Sequence, residues 1–218
     1  MERFLIWDIE YSIGIQNQIS EEFDLKILDA NLLTKELLSW DGWKIAEPSS
    51  TLLVLPGNGA GIVRSYLTLE WLASWRWVAV PAKRFWRPGE SPHVTVGRIY
   101  PHGMMFGIND VIIIDDVVSS SETTTKLRQF NEPWIPNARW HVVVWVAQRK
   151  ASISRSLRRF TSVYASVWVG NIQSFVSVNS LSTLLREPVI AESYTQRHMG
   201  SKTSAFLALL ADIRLATT

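Results

Sequence analysis

Asp110-Val111-Ile112-Ile113-Ile114-Asp115-Asp116-Val117-Val118-Ser119-Ser120-Ser121-Glu122-Thr123-Thr124 is the stretch around which the rest of the chain arranges itself. Val111 to Ile114 are β-branched with no polar interruption, which predicts a strand buried on both faces and ending where the acids begin. Asp115 and Asp116 follow, then a hydroxyl-rich segment, then Lys126-Leu127-Arg128-Gln129-Phe130, which predicts a helix. A turn that opens a helix presents unpaired backbone N–H groups beside hydroxyl donors, and that combination suits a phosphate. Carboxylates one step earlier accept hydrogen bonds from sugar hydroxyls or hold a hydrated magnesium ion.

This succession resembles the phosphoribosyl-diphosphate signature of type I phosphoribosyltransferases: a hydrophobic strand, two acids, two apolar or variable residues, then Thr-Thr-Gly-x-Thr. Asp115 and Asp116 match the acidic pair, Ser119 and Ser120 the two threonines, Ser121 the glycine, Glu122 the variable position and Thr123 the last threonine. The resemblance covers residues 112–123 and departs from the pattern at the glycine. If that position takes a positive φ, Ser121 carries strain on the order of 1–3 kcal/mol. A plainer interpretation of the same residues is a buried strand with an acidic cap and a Ser/Thr-rich helix start.

One unit upstream, Thr51-Leu52-Leu53-Val54-Leu55 predicts a short apolar strand, followed by Pro56-Gly57-Asn58-Gly59-Ala60-Gly61 and a helix from about Ile62 to Trp75. A glycine-rich turn lets backbone N–H groups approach an anion closely. The resemblance implies that Gly57, Asn58, Gly59, Ala60 and Gly61 form the diphosphate-binding loop. Many members of that family carry a basic residue where this chain has Ala60, which leaves backbone donors to do the binding. Trp77 to Pro81 predicts the next strand, and His93 to Tyr100 alternates like a hairpin strand. The insert between them is basic and rich in Pro and Gly. In the family a flexible loop here closes over the diphosphate, so Lys83, Arg84 and Arg87 are the candidate cations for the charge that gathers on the leaving group. A solvated hairpin tip with ordinary surface charges is the plainer alternative.

The 218 residues are 47% hydrophobic and 19% charged, which predicts a folded globular chain. A net charge of +2 does not argue for nucleic acid as a partner. Absence of cysteine excludes disulfides, thiol catalysis and cysteine-ligated zinc, and fits a cytoplasmic location. Acids interrupt the apolar start Met1 to Asp8, so it does not read as a signal peptide. Phe160 to Leu185 carries no charge but is too rich in Ser, Thr, Asn and Gln for a membrane span. Apolar residues at helical spacing predict a helix from about Ser20 to Trp40, ended by Asp41-Gly42. Trp140 to Ala147 and Ser162 to Gly170 predict two further strands, and Ser204 to Asp212 a closing helix; between Asn171 and Ser204 the pattern blurs. Arg149, Lys150, Arg155, Arg158 and Arg159 form a basic run, most simply a solvated helix or turn. Of the eleven tryptophans, Trp86 and Trp134 sit in loop-like surroundings where they could stack on a planar base. The histidines, His93, His102, His141 and His198, show no metal-ligand spacing and no Ser/His/Asp set.

The order of elements predicts one α/β domain over residues 1–218: a doubly wound, mostly parallel sheet flanked by helices, its core at about residues 50–170 and a small hood from the chain termini. The resemblance implies an enzyme that transfers ribose 5-phosphate from phosphoribosyl diphosphate to a nitrogenous base, with Mg²⁺ and with release of diphosphate. Asp115 and Asp116 would be catalytic and would meet the magnesium largely through water. Ser119, Ser120, Ser121, Glu122 and Thr123 would hold the 5-phosphate. The expected partners are phosphoribosyl diphosphate and a nucleobase-like molecule, without membrane or nucleic acid, and a homodimer is allowed. Two alternatives stay open: a non-catalytic protein of the same fold that binds a nucleotide or phosphoribosyl diphosphate as a regulator, and a magnesium-dependent phosphohydrolase using the Asp pair.

Overall fold

The computed structural model describes residues 1–10, 13–85, 93–99, 107–174 and 176–217. In chain order the strands are β1 (Arg3–Trp7), β2 (Lys26–Asp29), β3 (Thr51–Pro56), β4 (Arg76–Val80), β5 (Ala82–Phe85), β6 (His93–Val96), β7 (Asp110–Val118), β8 (Arg139–Gln148), β9 (Ser162–Val169) and β10 (Ser177–Ser180). The helices are α1 (Ile13–Phe23), α2 (Ala30–Leu38), α3 (Gly42–Ile45), α4 (Gly57–Tyr66), α5 (Leu69–Ala73), α6 (Glu122–Asn131), α7 (Arg149–Ser152), α8 (Leu181–Arg186), α9 (Pro188–His198) and α10 (Thr203–Thr217). These elements divide into two compact units, Leu33–Phe175 and the two ends Met1–Leu32 with Val176–Thr218. Nothing in the linear pattern marks that division. Among the described residues no helix is long and apolar enough to cross a membrane.

The larger unit is built on five strands in the order β4-β3-β7-β8-β9, every pairing parallel. Residues Val111 to Ile114 of β7 and Val142 to Ala147 of β8 are inaccessible to solvent, as expected for strands covered on both faces. Alternation along β7 sorts its side chains. Val111 and Ile113 pack in one cluster with Leu127 of α6, while Tyr66 of α4 stacks edge-on, 5.4 Å away, against Trp145 from the other face. Helices thus cover both faces, and the sheet is doubly wound. Ranked by their place in the chain, its strands lie in the order second, first, third, fourth, fifth. The direction of winding reverses between β3 and β7, which opens a crevice at their carboxyl ends.

β7 runs further than its apolar core predicts. It continues through both acids to Val118, because β8 pairs with it along that whole length: Asp115 opposite Val144, Val117 opposite Val146 and Val118 opposite Ala147. The glycine stretch is likewise not a free turn. α4 begins at Gly57 and ends at Tyr66, and Thr68 caps a separate α5 by accepting from the Trp71 N–H at 3.2 Å, so the single helix expected over Ile62–Trp75 is two. The helix expected from Ser20 to Trp40 is broken as well. Asp24 leaves α1 at φ 52°, Lys26–Asp29 pairs in parallel with β1, and Asp29 then accepts the Leu32 N–H at 3.0 Å as α2 starts.

The smaller unit has its own parallel sheet, β10-β1-β2. Leu5 and Trp7 of β1 form a core with Ile19 and Phe23 of α1, Leu181 and Leu184 of α8, and Phe206, Leu210 and Ile213 of α10. The rings of Phe23 and Phe206 meet edge to face at 4.8 Å. The chain ends expected to supply a hood build this unit.

Candidate functional site

The carboxyl ends of β3 and β7 carry the glycine stretch and the acidic pair, so both fall at the crevice of the large sheet. Each has a local cause. Gly57 adopts φ +65°, and a Cβ there would lie 2.7 Å from the Ala82 carbonyl oxygen; only glycine turns the chain from β3 into α4 against that backbone. At Gly59 a Cβ would fall inside the Asp116 carboxylate, 2.6 Å from its Cγ. The absent side chain lets the Asp116 carboxylate rest on the first turn of α4, where a helix N-terminus favours a negative charge.

Successive side chains of a strand leave opposite faces, and the acidic pair obeys this. Asp115, 8% exposed, shares the α6 face with Val111 and Ile113 and lines a cleft with Val117, Val118, Ser119, Ser121, Glu122, Thr123 and Thr124. The cleft is small and half open, with a cavity volume of about 10 Å³. Asp116 is on the α4 face and is not among its lining residues. Each carboxylate also accepts a main-chain N–H from the residue after it, Asp115 from Asp116 at 3.0 Å and Asp116 from Val117 at 2.7 Å. The two acids therefore do not converge on one point.

Ser121 is the N-cap of α6 and stands in the left-handed region, φ 60° and ψ 9°. The position matched to the signature's glycine thus does take the conformation glycine favours. Its hydroxyl donates to the Ser120 carbonyl at 2.5 Å and lies 3.2 Å from the Ser154 hydroxyl. Its carbonyl receives the Thr125 N–H and the Thr124 hydroxyl, both at 2.9 Å. The earliest N–H groups of α6 have no acceptor within the helix and open toward the cleft that Ser119, Ser121 and Thr123 line. Glu122, also at the cleft, pairs with Lys126 at 3.1 Å one turn on. That pairing offsets a charge which would otherwise oppose an anion. Val117, Val118 and Thr124 are cleft residues that the signature did not single out.

The remaining candidates are placed as follows. Ala60 is wholly buried, 0% exposed, so a basic side chain at this position would enter the core rather than the crevice. Asn58 and Gly61 are exposed on the first turns of α4. Lys83 is an exposed residue of β5, which pairs antiparallel with β6 from Ala82 opposite Val96 to Phe85 opposite His93. Arg84 belongs to the same strand, while Arg87 and Trp86 lie outside the described residues. Trp134 is 48% exposed in a short 3-10 turn just beyond the C-terminal end of α6 and does not line the cleft.

At the opposite end of the sheet, three strand starts share a polar network that sequence spacing did not reveal. Arg139 forks onto Asp110 with two hydrogen bonds of 2.8 Å. His141 lies 3.1 Å from the same carboxylate through Nε2 and 2.8 Å from the Ser162 hydroxyl through Nδ1. An Asp, a His and a Ser are therefore in hydrogen-bonded series after all. The Arg139 fork makes this a clamp on the strand ends, since it already neutralises the carboxylate that would have to support an imidazolium. Burial alone would raise the Asp110 pKa, but the hydrogen bonds from Arg139 and His141 together outweigh it and hold the carboxyl below its ordinary value of 3.8. Among the described residues no three His, Cys, Asp or Glu side chains group as metal ligands.

No family model matches the sequence, and no curated protein matches it. Among solved structures, the chain is similar to the xanthine-guanine-hypoxanthine phosphoribosyltransferase of Helicobacter pylori at 11% identity and TM-score 0.47, covering 88% of this chain and 99% of that one. A hypothetical protein from Neisseria gonorrhoeae with bound ppGpp shows 14% identity and TM-score 0.44 over 83% and 89% of the two chains. A purine phosphoribosyltransferase from Pyrococcus horikoshii Ot3 shows 13% identity and TM-score 0.43 over 68% and 87%.

Proposed function

We propose that the chain transfers ribose 5-phosphate from phosphoribosyl diphosphate to a nitrogenous base. The observation that carries this is the placement of Asp115 and the Ser119–Thr123 turn, with the N-terminus of α6 beneath it, at the switch point of a doubly wound sheet. In this proposal the turn holds the 5-phosphate through hydroxyls and main-chain N–H groups. Asp115 and Asp116 engage the ribose hydroxyls from the two sides of β7 and favour the cationic transition state. The first turn of α4 and Lys83, Arg84 and Arg87 receive the diphosphate. The two carboxylates do not form a protein cage for magnesium. A magnesium ion arriving with the donor would be met by Asp115, the member of the pair that lines the cleft, and would supply neutralisation of the charge on the leaving diphosphate.

A second assignment, a regulator that binds the same donor or a nucleotide without turnover, draws support from Asp116. Its carboxylate rests on α4 and accepts the Val117 N–H, which is a structural use of the charge. One pair of measurements decides between the two. Phosphoribosyl diphosphate with Mg²⁺ at about 100 times its dissociation constant should stabilise the protein by roughly 2.7 kcal/mol. A flat melting temperature up to millimolar donor removes both assignments. Diphosphate release is then followed with a panel of purine and pyrimidine bases that includes orotate. Base-dependent release, lost in Asp115→Asn with binding largely kept, establishes transfer. Stabilisation without release for any base leaves the regulator.

A further inference from the structure

A second cavity lies on the other side of α6, between that helix and β6. Among the described residues Thr95, Val96, Lys126, Gln129 and Phe130 line it, and it is a shallow, open groove of about 400 Å³. That volume is inside the range of small-molecule sites, roughly 300–1,000 Å³. Its wall is mostly apolar: the Phe130 ring is 43% exposed, unusual for a large hydrophobic side chain on a short helix, and Val96 faces the same space. One cation, Lys126, lines it, and a second, Arg98, lies against the Phe130 ring. The exposed Arg98 guanidinium is 5.4 Å from the Phe130 ring centre and 5.5 Å from that of Trp134. The Lys126 ammonium bonds Glu122 at 3.1 Å and the Val94 carbonyl at 3.2 Å. An ammonium has three donors, so two are used by these contacts and one is left for a ligand.

We propose that this groove binds a small aromatic monoanion, an aryl carboxylate or aryl sulfonate, with its ring against Phe130 and Val96 and its acid group on Lys126. The assignment does not depend on the phosphoribosyl reading, although Lys126 also pairs with Glu122 of the cleft. The ring covers the apolar surface that Phe130 leaves open beside Arg98, and aromatic pairs gain beyond simple area burial. The acid completes Lys126, and Arg98, stacked on the Phe130 ring, adds to the positive field. A neutral aromatic would leave the third Lys126 donor unused, and a dianion would meet the nearby Glu122.

The test uses the full chain and two fluorescent probes of nearly equal shape. One is 8-anilinonaphthalene-1-sulfonate, an aryl monoanion; the other is its uncharged relative N-phenyl-1-naphthylamine. The expected result is a single saturable site on the native protein, with the sulfonate bound about tenfold more tightly than the neutral probe. Lys126→Gln should abolish that preference, and Thr95→Trp, which fills the groove, should remove binding of both. Phe130→Ala alters an exposed side chain and serves as the second variant if Thr95→Trp does not fold; it should weaken both probes alike. Because the sulfonate also lights up partly unfolded chains, each variant is compared only with its thermal transition intact. No saturable binding to the native protein overturns the proposal. So does binding that ignores Phe130→Ala, or equal affinity for the charged and neutral probes.

Discussion

Ser121 offers a direct measurement of the strain stored at the candidate phosphate turn. At φ 60° and ψ 9° its Cβ meets the crowding that makes this region costly for any side chain, about 1–2 kcal/mol. Its hydroxyl partly offsets that through the 2.5 Å bond to the Ser120 carbonyl and the 3.2 Å approach to Ser154, together about 1 kcal/mol. Two substitutions separate these contributions. Ser121→Ala removes the hydroxyl and keeps the Cβ, so it should destabilise by about 1 kcal/mol. Ser121→Gly removes both; relief of strain offsets the lost hydroxyl and the added freedom of the unfolded chain, and the net change should be near zero. The glycine variant should therefore be more stable than the alanine variant by about 1 kcal/mol, or about 2–4 °C in melting temperature for a chain of this size. Urea titrations at pH 7 with unchanged slope give the same comparison at 25 °C. An alanine variant equal to or more stable than the glycine variant would refute the claim that the turn is strained.

Three further outcomes follow from the same geometry. Ala60→Lys places an ammonium at a position with no solvent exposure, so it should cost several kcal/mol and lower the folded fraction measured by circular dichroism, rather than strengthen anion binding; a fully folded variant with tighter diphosphate binding would show that α4 can turn this position outward. Gly59→Ala drives a methyl into the Asp116 carboxylate and should destabilise by about 1–3 kcal/mol, while Gly61→Ala, with nothing within 4 Å of its added Cβ, should be neutral or slightly stabilising in the same urea titration. Asp110→Asn should cost about 1–3 kcal/mol at pH 7 by weakening the Arg139 fork. Because the folded carboxyl titrates below its ordinary 3.8, its contribution is present above pH 4 and is lost as pH falls through the folded value, so the gap between wild type and variant should shrink progressively below pH 4; a gap independent of pH would deny the charge any role.

How far the sequence could be read depended on the range of the interactions involved. The interior of β7 was legible because Val111 to Ile114 are β-branched and unbroken, a local signal. Its end was not, since Asp115 and Asp116 are poor strand formers and only pairing with β8 keeps them extended. Gly57 to Gly61 read as a turn on propensity alone. The helix forms there because Ala60, Ile62 and Val63 are buried and because Asp116 needs the space a glycine leaves. The turn was read from a resemblance spanning 112–123, which raised a positive φ at Ser121 only as a condition, and the backbone there takes it. The polar clamp of Asp110, His141 and Ser162 was illegible, because its members are 31 and 21 residues apart and meet only where three strands begin side by side. The smaller unit was hidden for the same reason: β1 finds its neighbour β10 at the far end of the chain.

That clamp bears on the site at the other end of the same strand. Asp110 and Arg139 are direct partners across β7 and β8, so their two-pronged bond fixes which residue of one strand faces which of the other. Five residues further on, the parity of the strand decides which acid faces which helix. Asp116 shares the face of Ile112 and Ile114 and reaches α4; Asp115 shares the face of Val111 and Ile113 and reaches the cleft at α6. A slip of one residue would exchange them, putting Asp116 at the hydroxyl turn and Asp115 against Gly59. The apolar runs Val111 to Ile114 on β7 and Val142 to Ala147 on β8 tolerate such a slip on hydrophobic grounds alone, since both faces of each are apolar. A charged, directional contact at the first paired residue removes that ambiguity. The Arg139 fork thus does at the strand's start what its apolar middle cannot: it specifies the order in which two neighbouring carboxylates are presented at the strand's end.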